Sequence, residues 1–333
     1  MRRLVRQSLL LVLLLFALLA AGLLWRVFSP IPLAGGKIEF TIGAGSSMRL
    51  AAGEIAAAGA DIEPWLLIGL ARVLRVESSI KAGSYELAQG STMLDLLGKL
   101  TRGDVTQAEL LIIEGWTFRQ LRARLDAHAD LQHDTAGLPD SELLTRLGAR
   151  EAAAEGLFFP DTYLFSKRSS DLDLLARAYR AMQAHLAREW QTRADGLPYR
   201  DAYQALIMAS IIEKETGRAD ERSLIAGVFV NRLRQGMLLQ TDPTVIYGLG
   251  EAFDGNLRKR DLLADTPYNT YTRRGLPPTP IALPGLASLR AALHPAASDA
   301  LYFVARGDGS SHFSRTLDEH NEAVGRFQRR SKP

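Results

Sequence analysis

The sequence predicts an α+β protein with a single N-terminal transmembrane helix, a small α/β module and then a larger mixed α+β domain. Three observations lead to this prediction: an uncharged apolar run near the N-terminus, short strand-like segments that each precede an amphipathic helix, and an apolar helical run in the C-terminal half. The predicted boundaries are 1–6 for a cytoplasmic tail, 7–26 for the transmembrane helix, 27–36 for a linker, 37–105 for the module and 106–333 for the larger domain.

The composition argues against several classes of protein. The formal net charge of the 333 residues is only +3, and the arginines are scattered among acidic residues, so no nucleic-acid partner is expected. The sequence has no cysteine, which excludes disulfides, a thiol nucleophile and a zinc–thiolate site. The 6 histidines show no metal-ligand spacing, and neither a metal nor another cofactor is expected.

The N-terminal run predicts a membrane anchor. Three arginines among the first residues precede an uncharged stretch, Gln7–Trp25, which at about 1.5 Å per residue is just long enough for a hydrocarbon core of about 30 Å. Positive charges before the run favour a cytoplasmic N-terminus, so the chain beyond Arg26 is expected outside the cytoplasm of an inner membrane. A cleaved signal peptide is the alternative, because residues 20–22 are small.

A repeated pattern fills residues 37–124. A short β-rich segment is followed by a glycine turn, a hydroxyl residue placed to cap a helix, and an amphipathic helix. The strand-like segments are Ile38–Ile42, Ser84–Leu87 and Leu110–Ile113, with turn glycines at Gly45, Gly90 and Gly115. A further helix is predicted over Pro64–Leu74. Small modules of this pattern bind glycans in several families, but the pattern also describes a plain packing domain.

Residues 155–190 are predicted to combine an inward-folding loop with a helix. The loop Glu155–Phe165 holds four aromatic residues beside a proline and a glycine. We interpret it as a plug of the core, with a wall for sugar stacking as the alternative. An amphipathic helix is predicted over Leu174–Trp190.

The C-terminal third alternates helices with stiff polar loops. Leu239–Gly248 is predicted to be a proline-turned loop whose hydrogen-bonding side chains suit a polyol, and Thr266–Gly285 is a second rigid loop of this kind. The other predicted elements are a helix over Ile225–Arg234, a short helix over Ser288–Leu293, a buried strand over Leu301–Val304 and a polar closing helix over Thr316–Arg330.

The helical run Tyr203–Gly217 carries two carboxylates near its end. No proline or glycine interrupts it, and Thr216-Gly217 supplies a stop of the C′ glycine type. Glu213 lies over small side chains, whereas Glu215 lies roughly 200° around the helix, so the two acids are expected to face opposite ways. An apolar setting with few charges favours the protonated form that a general acid needs. The alternative is that both acids are solvated and pair with neighbouring lysine and arginine side chains.

Several segments, in this order, resemble the endolytic murein transglycosylases, the MltG or YceG-like family. They are Ala209–Thr216, Val228–Leu233, Leu239–Gly248, Pro267–Tyr271, Gly275–Pro278, Leu301–Ala305 and Phe313–Asn321. The resemblance covers nearly the whole chain and implies that residues 37–105 form a LysM-like module and 106–333 the catalytic domain. Two small departures concern loop detail: Pro-Thr-Pro stands at Pro278–Pro280 where Pro-Gly-Pro is common, and Leu283 stands where Asn is common.

The resemblance implies non-hydrolytic cleavage of the β-1,4 bond between N-acetylmuramic acid and N-acetylglucosamine inside a peptidoglycan strand. In that family the first glutamate of the S-I-I-E-K-E run is catalytic, which maps onto Glu213. Groups expected to hold the sugar or stabilise its positive charge are Gln240, Asp242, Tyr247, Tyr268 and Asn269. The implied partners are peptidoglycan strands, the cytoplasmic membrane and penicillin-binding protein synthases. A hydrolytic muramidase and a non-catalytic glycan-binding scaffold for those synthases remain the alternatives.

Overall fold

The computed structural model describes residues 2–33 and 35–328, with side chains from Arg6 onward. The helices are α1 Arg2–Phe28, α2 Met48–Ala57, α3 Pro64–Val73, α4 Met93–Arg102, α5 Phe118–Asp126, α6 Asp140–Leu147, α7 Asp171–Gln191, α8 Ala202–Glu215, α9 Arg222–Arg234, α10 Asp242–Leu249, α11 Lys259–Leu263, α12 Leu286–Leu293 and α13 Leu317–Phe327. The strands are β1 Lys37–Ile42, β2 Gly83–Ala88, β3 Gln107–Leu111, β4 Leu131–Gln132, β5 Thr162–Ser166, β6 Ser169–Ser170, β7 Tyr302–Ala305 and β8 Ser311–Ser314. These elements confirm the predicted α+β class.

The chain divides into two compact units. The first comprises Met1–Glu109 and Leu164–Ser169, and the second comprises Leu110–Tyr163 and Ser170–Pro333. The strands pair as β1 with β2, β3 with β5, β4 with β6 and β7 with β8. Because each of these described sheets has only two strands, helix packing rather than a large sheet builds the cores.

The first unit is organised around the antiparallel pair β1–β2. Phe40 lies opposite Tyr85 in the ladder, and their rings stack with centroids 5.7 Å apart. Apolar side chains of α2, α3 and α4 complete one buried cluster with this face of the sheet. The packing of cross-strand aromatic and β-branched residues is what stabilises such a small sheet.

The repeated turn-and-cap pattern is confirmed. Ser47, Thr92 and Thr117 each accept a hydrogen bond from the backbone N–H three residues later, at the start of α2, α4 and α5. The three turn glycines have positive φ angles, which a glycine adopts without the clash that a Cβ would cause. The third strand differs from its prediction, since β3 begins three residues earlier than Leu110 and ends two residues before Ile113.

Helix α1 contains the stretch Arg6–Phe28, which is long and apolar enough to cross a membrane. Val27, in its last turn, and Ile31, just after it, are buried in the core of the first unit. This part of the predicted linker 27–36 is therefore packed against the unit, while residue 34 lies outside the described residues.

The second unit is built around α8. Asp201 caps its first turn by accepting from the Gln204 N–H at 2.9 Å, and eight consecutive residues, Ala205–Ile212, are buried. Helices α7, α9, α10 and α12 all pack against it. A helix that is apolar all round is expected in the middle of a core rather than on its surface.

The stop of α8 differs from the prediction. Thr216 is extended, with φ −148° and ψ 136°, and the left-handed conformation of a C′ glycine is absent at Gly217. The chain leaves the helix by straightening, so a Schellman-type turn is not needed there.

The aromatic loop at 155–165 is a plug of the core, as predicted. Leu157 and Phe158 are fully buried, and the Phe158 ring stacks on Phe118 with centroids 5.0 Å apart. These rings are enclosed by protein, so this loop offers no open wall for stacking a sugar.

Three other predictions of the C-terminal third need correction. The segment 239–248 is not a proline-turned loop: α10 begins at Asp242, because Pro243 in the first turn has no intrahelical N–H to lose. Strand β7 is only partly buried, with Val304 its one buried residue. The closing helix α13 ends at Phe327, and the predicted end at Arg330 lies outside the described residues.

Candidate functional site

The two carboxylates at the end of α8 face opposite ways, as predicted. Glu213 accepts hydrogen bonds from residues at the start of α12, whereas Glu215 accepts one from Thr241, just before α10. The intervening Lys214 donates to the Gly115 carbonyl at 3.1 Å. The helix end therefore presents two separate acidic environments.

Glu213 is held in a polar setting rather than in the apolar one expected. Its Oε2 accepts from the Gly285 N–H at 3.0 Å and from the Ser288 hydroxyl at 2.7 Å, and its Oε1 lies 3.9 Å from the Arg222 guanidinium. Gly285 and Ser288 are the N-cap and third residue of α12, whose unpaired N–H groups favour a carboxylate. Only 7% of the Glu213 side chain is exposed. Glu213 thus acts as a cap for another helix.

A third carboxylate, Glu114, stands beside Glu213 and was missed by the sequence analysis. Its carboxylate lies against the Cα of Gly285, so that a Cβ at this position would overlap it. Burial raises the pKa of Glu114, and the Glu213 charge raises it further, against the opposing effect of Arg222. A cavity of about 580 Å³ beside it is lined by basic residues as well, including Arg222, Arg290 and His294. The only sequence signal was an acid at the end of an apolar strand, before a glycine turn.

Glu215 lines a different cavity, also of about 580 Å³. The Thr241 hydroxyl donates to its Oε1. Burial raises the pKa of Glu215, and the nearby Asp242 carboxylate raises it further, while the Thr241 hydrogen bond and Arg232 act against this. A buried carboxyl whose pKa is raised beside a second carboxylate is suited to general-acid chemistry.

The other walls of this cavity are polar and aromatic. Asp242 accepts from the Tyr271 hydroxyl at 2.5 Å. Arg232 donates to the carbonyls of Leu239 and Leu301 and lies over the Tyr302 ring, 5.1 Å from its centroid. We name the space lined by Glu215, Asp242, Gln240, Arg232, Tyr271, Tyr302 and His320 the Glu215 cavity. Aromatic faces beside charged hydrogen-bonding groups can hold a sugar ring and its hydroxyls.

Two of the predicted sugar-binding residues belong to this cavity and a third supports it. Gln240 is exposed at the rim and has a left-handed φ of 51°, which is uncommon for a residue with a side chain. Asn269 is fully buried, donates to three backbone carbonyls at 261, 262 and 264, and accepts from the Tyr271 N–H at 2.8 Å. Asn269 therefore orders the loop that carries Tyr271 and does not itself face the cavity.

The remaining predicted residues, Tyr247 and Tyr268, line a third cavity of about 460 Å³. Their rings meet edge to face with centroids 4.9 Å apart, and the Tyr247 hydroxyl donates to Glu155 at 3.1 Å. Both oxygens of Glu155 also accept from the Phe118 N–H. The sequence-predicted residues are thus distributed over three places: Glu213 at α12, Gln240 and Asp242 beside Glu215, and the two tyrosines beside Glu155.

Glu155 gives a pH-dependent stability that can be tested. Burial raises its pKa to about 7 from the value of 4.5 expected in the unfolded chain. Between pH 4.5 and about pH 7, the folded state keeps a proton on Glu155 that the unfolded chain has lost. The stabilisation of the folded state by the protonated Glu155 carboxyl is therefore complete below pH 4.5 and is lost as the pH rises through 7. We expect the free energy of unfolding to fall by about 2 kcal/mol between pH 5 and pH 7 through this residue.

The matched variant is Glu155→Gln, whose amide oxygen still accepts from the Phe118 N–H. Urea unfolding in detergent micelles at both pH values should show the loss in the parent chain and not in the variant. An identical pH dependence in both proteins would contradict the assignment to Glu155.

Within the described part of the chain, one group of side chains could hold a metal ion. Ligand atoms of Asp126, His133 and Asp171 lie within 4.8 Å of one another. The Asp171 carboxylate already accepts from the Thr135 N–H and hydroxyl, which satisfies it without a metal. We assign no function to this group.

Comparison with known proteins identifies the family. Residues 40–326 match the YceG-like family, so the chain belongs to it. It is 34% identical to the endolytic murein transglycosylase of Bacillus subtilis (strain 168) over 75% of this chain and 74% of that protein. It is 30% identical to the endolytic murein transglycosylase of Streptococcus pneumoniae (strain D39) over 74% of this chain, and it spans only 50% of that protein's length.

A solved structure supports the same family. The crystal structure of a putative YceG-like protein from Listeria monocytogenes is similar with a TM-score of 0.53 and 30% sequence identity, over 86% of this chain and 98% of that one. The recognition of the family from its sequence segments is therefore confirmed.

Proposed function

We propose that this chain is an endolytic murein transglycosylase that cleaves the β-1,4 bond between N-acetylmuramic acid and N-acetylglucosamine inside peptidoglycan strands. Relatives named for this activity support the proposal. The observation that carries it is the Glu215 cavity, in which a buried carboxyl with a raised pKa stands beside the Asp242 carboxylate and aromatic walls. Cleavage that leaves a 1,6-anhydro end would limit the length of a growing strand.

The reaction needs one group that first gives and then takes a proton. The acid donates its proton to the glycosidic oxygen, the bond from that oxygen to the muramyl C1 breaks, and N-acetylglucosamine leaves with a free hydroxyl. The muramyl 6-hydroxyl then attacks C1, and its proton returns to the carboxylate. No water is consumed, and the intramolecular attack has the advantage of a high effective concentration.

The geometry favours Glu215 as this acid. It lines a cavity of a size to receive a sugar, and Asp242 lines the same cavity, where a carboxylate would stabilise positive charge at C1. The Tyr271 hydroxyl orients Asp242, and Asn269 orders the backbone of Tyr271. The catalytic role that the family resemblance assigns to Glu213 stays a prediction, and Glu213 is the alternative acid; it accepts two hydrogen bonds at the start of α12.

Asp242→Asn is expected to slow cleavage by about tenfold to a hundredfold without abolishing it, because the substituted side chain loses its charge, whereas the burial that raises the pKa of Glu215 remains. The rate is measured from fragments released from purified strands. Asparagine retains an oxygen that accepts from Tyr271, so the thermal unfolding temperature should change little and serves as the control. Complete loss of cleavage in a folded variant would mean that both carboxylates are indispensable.

Location and partners are part of the proposal. Helix α1 contains a stretch that is long and apolar enough to span a membrane, and the arginines at the start of the helix favour an N-terminus in the cytoplasm. The rest of the chain, with residues 37–105 as a LysM-like module and 106–333 as the catalytic domain, would then act outside the cytoplasm on nascent strands. Penicillin-binding protein synthases, which make those strands, are the proposed protein partners.

The product ends test the proposed reaction. The full chain in detergent micelles is incubated with purified peptidoglycan strands, and the fragments are analysed by mass spectrometry. Internal fragments ending in 1,6-anhydro-muramic acid are the expected result. Reducing ends, formed by the addition of water, would instead identify a muramidase. Strand binding without cleavage would identify a scaffold.

A further inference from the structure

The end of α1 is built into the first unit without a free tether. Val27 and Ile31 are buried in its core, and the Ile31 N–H donates to the Ser91 carbonyl at 2.8 Å. The Arg26 guanidinium donates to Glu63 at 2.8 Å and lies 3.6 Å from Asp61. These contacts attach the end of α1 to the first unit at two places: at Arg26 inside the helix and at Ile31 just after it.

The position of this junction relative to the membrane follows from the length of α1. A hydrocarbon core of about 30 Å takes about 20 helical residues, which places its far boundary near Arg26 when the span begins after Arg6. Leu23, one turn earlier, already packs against the core of the first unit. No room is left between the bilayer and the unit, so the nearest part of the unit lies among the lipid headgroups.

The path of the chain shows which residues form this nearest part. Leu33 pairs with Ala60 in an antiparallel bridge, and the Asp61 N–H donates to the Pro32 carbonyl at 2.9 Å. While residues 26–33 lead away from the membrane, residues 60–63 lead back toward it and end at the contact with Arg26. The residues that follow, at the start of α3, are therefore closest to the bilayer.

Trp65 occupies that position and is 62% exposed. A large aromatic side chain left open to solvent is unfavourable, but an indole ring with one N–H is well suited to the boundary between headgroups and hydrocarbon. At the other end of α3, Val73 is 79% exposed but about 12 Å further along the helix axis.

We propose that Trp65 and the adjacent Arg26–Glu63 pair form a membrane-contact surface that lies in the headgroup layer of the bilayer crossed by α1. The proposal rests on the membrane anchoring proposed above and goes beyond it, because anchoring alone would permit a freely tethered unit. The occupant of the surface is the lipid itself. The first unit is thereby held at a fixed height above the membrane.

The absence of cysteine in the chain permits a direct test. Trp65→Cys and Val73→Cys each give the full chain a single site for a fluorescent NBD label. Each labelled protein is placed in nanodiscs of phosphatidylethanolamine and phosphatidylglycerol, with or without lipids that carry a nitroxide quencher on the headgroup. We expect quenching at position 65 to be several-fold stronger than at position 73.

The controls separate this proposal from the anchoring on which it rests. Co-elution of the chain with the nanodisc tests anchoring, and equal thermal unfolding temperatures test the fold of the two variants. Equal weak quenching at both positions in an incorporated protein would overturn the proposal. So would a blue-shifted but unquenched label at position 65, which would indicate contact with protein, such as a second copy, rather than with lipid.

Discussion

Glu215→Gln is expected to reduce the rate of strand cleavage by about 10²- to 10⁴-fold, the usual contribution of a general acid. Glutamine keeps an oxygen that accepts from the Thr241 hydroxyl but has no proton to give to the glycosidic oxygen. Burial of the neutral amide also avoids the cost of burying a charge. The fold should therefore persist, and the loss should appear in the cleavage rate while the unfolding temperature stays close to that of the parent chain.

The matched variant is Glu213→Gln, two residues earlier on the same helix. Its amide oxygen can still accept from the Gly285 N–H and the Ser288 hydroxyl, so the cap of α12 survives in part. We expect this variant to lose some stability and to keep a cleavage rate within about tenfold of the parent chain. The opposite pattern, with Glu213→Gln inactive and Glu215→Gln active, would establish the assignment that the family resemblance predicts.

Gly156→Ala is expected to lower the free energy of unfolding by at least about 3 kcal/mol, through left-handed strain and overpacking together. Gly156 has a φ of 81°, and an added Cβ would lie 2.6 Å from Pro280 Cγ. The proline ring is rigid, so relieving this overlap requires movement of the loop that carries Pro280 and Ile281. The Ile281 N–H donates to the Ser210 hydroxyl, one turn before Glu213 in α8. Chemical unfolding in micelles gives the size of the loss.

Gly137→Ala provides the control for backbone strain alone. Gly137 has a similar φ of 71°, but nothing lies within 4 Å of the position of an added Cβ. We expect a loss of about 1 kcal/mol in this variant, the cost of a left-handed alanine. Similar losses in both variants would show that the contact with Pro280 relaxes without cost.

Sequence reasoning succeeded where structure is determined by neighbouring residues. Ser47, Thr92 and Thr117 cap their helices because the hydroxyl and the N–H that it accepts from are three residues apart in the chain. The opposite directions of Glu213 and Glu215 follow from helix geometry in the same way. The error at α10 was also local, since the Asp-Pro pair was interpreted as a turn although a helix can begin with it.

The site itself depends on residues that are distant in the sequence. Tyr302 and His320, whose rings stack with centroids 5.3 Å apart, form a wall of the Glu215 cavity from β7 and α13. No periodicity near Glu215 indicates that these elements will pack there. The contact of Glu213 with Ser288 likewise depends on how α12 docks, 75 residues later in the chain. The helix pattern predicted that Glu213 and Glu215 face opposite ways. Which of the two side chains lines a cavity is decided only by the tertiary packing.

Three successive side chains at the end of α8 hold three different segments of the second unit. Glu213 binds the start of α12, Lys214 binds the Gly115 carbonyl, and Glu215 binds Thr241 before α10. Inserting or deleting one residue of α8 just before this tripeptide would rotate all three side chains by about 100° and break the three attachments at once. Loops commonly tolerate insertions and deletions, but this end of α8 does not, because the number of residues determines which segment each side chain contacts. We therefore expect sequence changes here to be substitutions.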